Sequence, residues 1–241
     1  MTTRIVELRR GILKKNDELA AGLRASYAAA RVMVLNLVSS PGTGKTAFLE
    51  WTLTELRKRG VRVAALVGDL ETDNDARRLA SSGAPVRQIN THGICHLDAE
   101  MIGKHLDGWE LGALDYLFIE NVGNLVCPSA FDLGQNANVV LLAVTEGDDK
   151  PAKYPVMFRV ADLVLLSKSD LLDVLDDFSP RKAEAYLRTL ANPATVLQVS
   201  ARRPETLAPW IAWIEEQHAG VRHSAASHSE HGHVHHHHPV A

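Results

Sequence analysis

Residues 39–46 read Ser-Ser-Pro-Gly-Thr-Gly-Lys-Thr, a glycine-rich stretch that ends in lysine and threonine. Glycines let the backbone curl so that successive N–H groups point towards phosphate oxygens. At this spacing Lys45 is predicted to reach the β and γ phosphates of a nucleotide, and the Thr46 hydroxyl to reach Mg²⁺. Further phosphate contacts are predicted from Gly42, Thr43 and Gly44. Ser39 stands where a glycine is usual, and the alternative interpretation is a Gly-Pro turn before a basic helix.

Two acidic residues and one glycine follow later apolar runs and have the chemistry to complete a phosphate site. In a doubly wound sheet, ligands bind beyond the carboxyl ends of the strands, where these residues are expected. Asp69 and Glu120 are predicted, with Thr46, to hold Mg²⁺ or its water ligands, or to orient an attacking water. Gly123 is predicted to offer its N–H group to the γ-phosphate. Lys45, Asp69 and Glu120 are the predicted catalytic residues.

A third group of residues has the chemistry to recognise a guanine base. Asp170 can accept two hydrogen bonds, from guanine N1–H and N2–H₂, which adenine cannot supply. Lys168 is predicted to lie along the base, and Ser200 and Ala201 to contact the guanine oxygen through their backbone. By itself a Lys-x-Asp sequence after a strand is more often a helix cap. Its position after a phosphate-binding loop favours guanine, although Ser167 replaces the asparagine expected in Asn-Lys-x-Asp.

Cys95, His96 and Cys127 are candidate ligands for a transition metal. Thiolate and imidazole groups suit Ni²⁺, Zn²⁺ or copper, whereas Mg²⁺ prefers oxygen. The segment with Cys95 and His96 and the segment with Cys127 are both predicted to leave the sheet at its nucleotide end. Two or three ligands are too few for a closed structural site. The alternative interpretation is a pair of buried thiols that act as small hydrophobic groups.

The C-terminal segment differs in composition from the rest of the chain. It holds nine of the twelve histidines and almost no apolar residues, which predicts disorder in the absence of metal. Clustered neutral imidazoles bind Ni²⁺, Cu²⁺ and Zn²⁺, so the segment is a candidate metal store. An expression tag is the alternative interpretation. The predicted ligands are His231, His233, His235, His236, His237 and His238.

Short apolar runs that alternate with helix-forming stretches must position these residues. The predicted strands are 32–38, 61–67, 86–89, 116–119, 139–144, 163–166 and 195–199. The predicted helices are 4–31, 45–59, 73–82, 97–106, 153–160, 180–190 and 204–217. This alternation is typical of an α/β fold with a mostly parallel, doubly wound sheet.

The chain is predicted to comprise an N-terminal helix in residues 1–31, a GTPase domain in residues 32–217 and a tail in residues 218–241. The N-terminal helix is expected to pack through one apolar stripe. The residues of that stripe are Ile5, Leu8, Ile12, Leu19 and Leu23.

Composition excludes several classes of partner. The 241 residues carry 26 basic and 29 acidic side chains, a net charge of −3 that favours neither nucleic acid nor a membrane surface. No apolar stretch is long enough to cross a bilayer, and the first residues lack a secretory pattern, so we expect a cytoplasmic protein. With only two cysteines, a disulfide framework is excluded.

Several longer strings resemble the HypB family, the GTPases that incorporate nickel during maturation of [NiFe]-hydrogenase. The resemblance spans about residues 4–217 and is carried by residues 68–76, 95–99, 118–128, 145–151 and 153–155. It implies a SIMIBI-class P-loop fold, slow GTP hydrolysis, binding of GTP or GDP with Mg²⁺, and nickel or zinc in the GTPase domain. It also implies nucleotide- or metal-linked homodimers that work with a HypA-like metallochaperone on the hydrogenase large-subunit precursor.

The sequence departs from the family pattern at several positions. No cysteine precedes Cys95, so the cysteine-rich N-terminal metal motif of some members is absent, and the histidine-rich segment lies near the C-terminus. Arg202 stands where a lysine is common. Two other functions compete with the hydrogenase assignment: a UreG-like accessory GTPase for urease, and a nickel-storage protein that carries a GTPase domain.

Overall fold

A computed structural model describes residues 2–69 and 74–230 of the chain. Its centre is a sheet of seven strands, all paired in parallel. The strands are β1 (Met33–Ser39), β2 (Val63–Asp69), β3 (Val86–Asn90), β4 (Tyr116–Glu120), β5 (Ala137–Ala143), β6 (Leu163–Ser167) and β7 (Thr195–Gln198). Each predicted strand is therefore confirmed, with bounds that differ by at most two residues.

Helices connect the strands. They are α1 (Thr2–Ala30), α2 (Lys45–Lys58), α3 (Asn74–Ala80), α4 (Ala99–Leu106), α5 (Lys150–Lys153), α6 (Pro155–Arg159), α7 (Pro180–Thr189) and α8 (Ala208–Glu230). The single helix predicted at 153–160 is wrong in detail. A short helix ends at Lys153, and a second begins at Pro155, because proline lacks the N–H that a continuous helix needs.

The strand order β3-β2-β4-β1-β5-β6-β7 places β1 between β4 and β5. The order of connection reverses at β1, which makes its carboxyl end a topological switch point. The register aligns Leu37 and Val67 with Glu120, so Ser39, Asp69 and Glu120 lie at the same edge of the sheet. This edge is where the phosphate-binding loop begins.

Apolar side chains fill both faces of the sheet, as near-continuous apolar strands require. The largest fully buried side chain is Trp210 of α8, whose indole N–H donates to the Thr52 hydroxyl of α2 at 3.0 Å. Leu207, Ile211 and Ile214 are also buried, so this end of the chain packs on the core through an apolar face. Among the described residues, no helix is both long and apolar enough to cross a membrane.

Helix α1 packs through only part of the predicted stripe: Leu23 packs against buried core residues, whereas two other members are exposed. Ile12 and Leu19 are 59% and 39% exposed, whereas Asn16, Ala20 and Tyr27 are buried. The reason is the surface beneath the helix. A Cβ atom at Gly134 would lie 2.8 Å from the Ala20 carbonyl oxygen, so the helix approaches the backbone of another segment closely through its small residue. Ile5 and Leu8 also belong to the predicted stripe, but their side chains are not among those that the structure describes.

Helix α8 continues beyond the predicted boundary at His218. His218 is buried and its ring lies 4.6 Å from that of Tyr116. Arg222, one turn further, donates to Asp115 at 2.8 Å. These tertiary contacts hold the first turn beyond the predicted boundary. The helix ends at Glu230, although composition predicts disorder from His218 onwards. The predicted histidine cluster at 231–238 lies outside the described residues.

Candidate functional site

The loop between β1 and α2 forms one wall of a pocket of about 440 Å³. Gly42 and Gly44 have φ angles of 75° and 87°, in the left-handed region that glycine adopts readily. Gly44 directly precedes the first residue of α2, so the free N–H groups of the helix face the pocket. The pocket is also lined by Lys45, Thr46, Asp69, Asp75, Arg78 and Gly123.

The structure brings Lys45, Thr46 and Glu120 together. Glu120 Oε1 accepts from Lys45 Nζ at 2.9 Å and from the Thr46 hydroxyl at 2.7 Å. The Glu120 side chain is only 1% exposed, and its Oε2 atom has no hydrogen-bond partner among the described residues. A buried carboxylate oxygen without a partner, beside a hydroxyl, has the donor chemistry that Mg²⁺ or one of its water ligands requires. The residues present therefore fit that ion.

Gly123 lies directly against the phosphate-binding loop. A Cβ atom at Gly123 would stand 3.1 Å from the Pro41 Cα atom and 3.2 Å from the Pro41 nitrogen. Only a residue without a side chain fits at this distance without moving the backbone of the loop. The close approach brings the segment after β4 to the phosphate pocket, which is the position that the predicted γ-phosphate contact requires.

The two serines that depart from the general pattern both have structural partners. Ser39 is fully buried at the end of β1, and its hydroxyl donates to the Ser40 carbonyl at 2.8 Å. The Ser167 hydroxyl donates to the Thr43 carbonyl at 2.8 Å. Ser167 thus joins the predicted base-binding segment to the phosphate-binding loop.

A second pocket, of about 460 Å³, adjoins the first. The predicted base contacts Lys168, Asp170, Ser200 and Ala201 all line it. The Ser200 hydroxyl donates to Asp170 Oδ1 at 2.5 Å, and this hydrogen bond lowers the pKa of the Asp170 carboxyl group. Asp170 is therefore a charged acceptor at neutral pH, fixed in orientation by Ser200.

Replacing Asp170 by asparagine is expected to weaken GTP binding by about 10- to 100-fold, since a hydrogen bond to a charged group contributes about 1.5–3 kcal/mol. The variant should also lose its preference for GTP over inosine triphosphate, which lacks the 2-amino group. Dissociation constants for both nucleotides test this. Asp173→Asn is the matched control, because Asp173 is in the same segment but 79% exposed. A variant that keeps the wild-type ratio of the two constants would remove Asp170 from base recognition.

Sequence reasoning missed Arg78, which lines both pockets. Its guanidinium group donates to Glu50 at 2.6 Å, which holds the side chain at the junction of the pockets. Asp75 and Arg78 are three residues apart on α3 and both line the phosphate pocket. That spacing, on a helix which follows the Asp69 strand, is the sequence signal that could have identified Arg78.

Cys95, His96 and Cys127 form the predicted cluster. Their candidate ligand atoms all lie within 4.8 Å of one another, and the two sulfur atoms are 2.8 Å apart. The two segments that carry them are 32 residues apart in sequence. Such a set of soft donors fits Ni²⁺ or Zn²⁺ and disfavours Mg²⁺.

The surroundings of His96 favour its neutral, metal-binding form. Burial lowers the pKa of the imidazole, and the ring stacks on Phe131 at 3.8 Å between centroids. Its Nδ1 atom is buried and finds no hydrogen-bond partner in the described part of the chain. The Cys127 thiol has its pKa raised, first by the hydrogen bond with Cys95. A metal ion that displaces the protons of both thiols would bind the two sulfur atoms and the imidazole.

Asn121 connects the two sites. It follows Glu120, and its Oδ1 atom accepts from the Val122 N–H at 2.9 Å and from the Leu97 N–H at 3.2 Å. Leu97 follows His96 and packs on Gly68, where a Cβ atom would lie 2.8 Å from its side chain. The segment next to the phosphate pocket and the segment that carries His96 thus share one fully buried side chain.

Residues 33–198 match the family described as "CobW/HypB/UreG, nucleotide-binding domain". The hydrogenase maturation factor HypB of Azotobacter chroococcum is 51% identical over 217 residues, which cover 89% of this chain and 70% of that protein.

Two solved structures are also similar. HypB of Helicobacter pylori, determined in complex with nickel, has a TM-score of 0.81 at 40% identity and covers 86% of this chain and 96% of its own. The hydrogenase maturation factor HypB of Archaeoglobus fulgidus has a TM-score of 0.76 at 32% identity, and the match covers 85% of this chain and 99% of that one. With the phosphate-binding loop and parallel sheet described above, these similarities show that the chain belongs to the HypB family of hydrogenase maturation factors within the CobW/HypB/UreG nucleotide-binding domains.

Proposed function

We propose that the protein is a GTP-hydrolysing nickel metallochaperone for the maturation of [NiFe]-hydrogenase. The observation that carries the proposal is the placement of the Cys95/His96/Cys127 cluster on segments joined to the phosphate pocket through Asn121. A nucleotide site and a transition-metal site that share a structural link are what nucleotide-controlled delivery of a metal requires.

Hydrolysis proceeds by attack of water on the γ-phosphate. Lys45 and the N–H groups at the start of α2 stabilise the charge that develops on the phosphate oxygens. Gly123 contributes a further N–H group, and Asp69 or Glu120 orients the water. Thr46, Asp69 and Glu120 would hold Mg²⁺, which when bound would supply additional positive charge at the phosphates.

The cargo ion is Ni²⁺, with Zn²⁺ as the competing ion of similar ligand preference. Cys95, His96 and Cys127 supply three donors, which leaves the coordination shell open for a second copy of the chain or for a receiving protein. An open shell suits transfer, since an ion that is fully enclosed by one chain has no route to another. We propose a homodimer linked by nucleotide or metal.

The partners of this function are a HypA-like metallochaperone and the precursor of the hydrogenase large subunit, in the cytoplasm. The histidines His231, His233 and His235–His238 are proposed as a low-specificity store that holds additional nickel near the transfer site.

The proposal is tested with the purified chain and with a form that lacks residues 231–241. Both forms should release phosphate from GTP at the same rate, and the shorter form should retain one nickel site per Cys95/His96/Cys127 cluster while losing the weaker ions. In cells without their own HypB, the wild-type gene should restore nickel-dependent hydrogenase activity, and a Cys95→Ser gene should not.

Two outcomes would contradict the proposal. Loss of all nickel binding on removal of 231–241 would indicate a storage protein. Restoration of urease activity but not hydrogenase activity would identify a different recipient.

A further inference from the structure

Helix α1 contacts both segments that carry the candidate metal ligands. Lys15 pairs with Glu100 of α4 at 2.7 Å, and Arg24 pairs with Asp132 at 2.7 Å. Both pairs are largely exposed, where ion pairs contribute little to stability. They show where the helix lies: across the gap between the segment before α4 and the segment that follows Cys127.

Asn16 is the buried polar residue at the centre of this contact. Its side chain is only 5% exposed and makes two hydrogen bonds in opposite directions. The Ala99 N–H donates to Asn16 Oδ1 at 2.9 Å, and Asn16 Nδ2 donates to the Asp132 carbonyl at 2.9 Å. Because both amide atoms are used, the side chain fixes the distance between Ala99 and Asp132.

These two backbone groups lie close in sequence to two stacked rings at the metal cluster, those of His96 and Phe131. Ala99 lies three residues after His96, and Asp132 directly follows Phe131. The rings of His96 and Phe131 stack at 3.8 Å. Asn16 therefore holds the backbone on both sides of the stacked pair, and through it the orientation of the His96 imidazole.

We propose that Asn16 is a positioning residue of the Cys95/His96/Cys127 cluster, through which α1 sets the separation of the two ligand-bearing segments. The inference deepens the proposed function and rests on it for the identity of the ion. Asn121 and Asn124 also join the segments: Asn121 accepts from the Leu97 N–H at 3.2 Å, and Asn124 donates to the Cys95 carbonyl at 3.4 Å. Loss of Asn16 should therefore loosen the cluster rather than destroy it.

The separation of the segments can be measured without metal or nucleotide. In glutathione buffers at pH 7, Cys95 and Cys127 form a disulfide while oxidised glutathione is reduced to two glutathione thiols. The equilibrium constant of this reaction gives the effective concentration of the Cys95 thiol around the Cys127 thiol. Asn16→Ala is expected to lower this concentration by roughly tenfold or more, because effective concentration falls steeply when two groups are no longer held together. The nickel affinity of the same variant should fall about tenfold, as for other residues that orient metal ligands.

Lys15→Ala and Arg24→Ala are matched controls, since each removes one contact of α1 with a single segment. Both should retain the wild-type effective concentration within about twofold. Asn16→Asp is the second variant: its ionised carboxylate can still accept from the Ala99 N–H at the start of α4, but it has no proton to donate to the Asp132 carbonyl. It should show the same loss in the glutathione equilibrium.

An unchanged glutathione equilibrium in Asn16→Ala and Asn16→Asp would overturn the inference, as would an equal loss in the two controls. If the wild-type cysteines bind no nickel, the proposed function fails while the glutathione result still decides the role of Asn16.

Discussion

Lys45→Ala is expected to reduce the rate of GTP hydrolysis by at least about 10²–10³-fold, the usual cost of removing one donor that stabilises charge in a transition state. Lys45 Nζ lies in the phosphate pocket, 2.9 Å from the buried Glu120 carboxylate, and its side chain is 11% exposed. A single cation so placed carries much of the charge that the γ-phosphate transition state needs. Phosphate release at saturating GTP measures the effect.

Lys58→Ala is the matched control, because Lys58 is an exposed residue at the other end of the same helix, α2. It should hydrolyse GTP at the wild-type rate. A Lys45→Ala protein that remains folded by circular dichroism and keeps the wild-type rate would refute the assignment of the phosphate site.

Cys127→Ser is expected to have the second largest effect, on both metal affinity and its dependence on nucleotide. The thiolate is one of three donors, and its loss should weaken nickel binding by about 100-fold or more. This exceeds the 10–100-fold loss of metal affinity that is typical when a residue that only hydrogen-bonds a ligand is replaced. Cys127 lies four residues after Gly123, on the segment that a γ-phosphate would order. Nickel affinity should therefore differ between the GDP-bound and GTP-analogue-bound protein by about 5- to 150-fold, and the difference should vanish in Cys127→Ser.

Nickel and zinc titrations of the chain without residues 231–241 measure this difference. Ser129→Ala is the control, since Ser129 is half-buried in the same turn, its hydroxyl donates to the Val126 carbonyl at 2.7 Å, and it is not one of the candidate metal ligands. It should keep the nucleotide dependence. Equal affinities for both metals in both nucleotide states of the wild-type chain would contradict the coupling.

The sequence by itself determined the nucleotide-binding fold. Strands and the phosphate-binding loop are specified by local patterns: a short apolar run, then glycines at fixed spacing, then a helix former. The same local logic predicted the places of Lys45, Glu120 and Asp170, because each lies at the end of a strand or in the loop after it, where ligands bind in such a sheet. Residue chemistry made Cys95, His96 and Cys127 candidate ligands for a transition metal, and the family resemblance favoured nickel or zinc as that metal.

Tertiary structure decided what depends on contacts between distant segments. Periodicity placed Ile12 and Leu19 on the buried face of α1, but they are exposed. Asn16 and Ala20 face inwards instead, because at these positions the helix meets backbone groups and the glycine at position 134. Ser167 reads as a weakened base contact in sequence and is a link to Thr43 in space. Spacing along the chain predicts which side chains share one face of a helix or strand. The residues that this face contacts are determined only when the segments pack together.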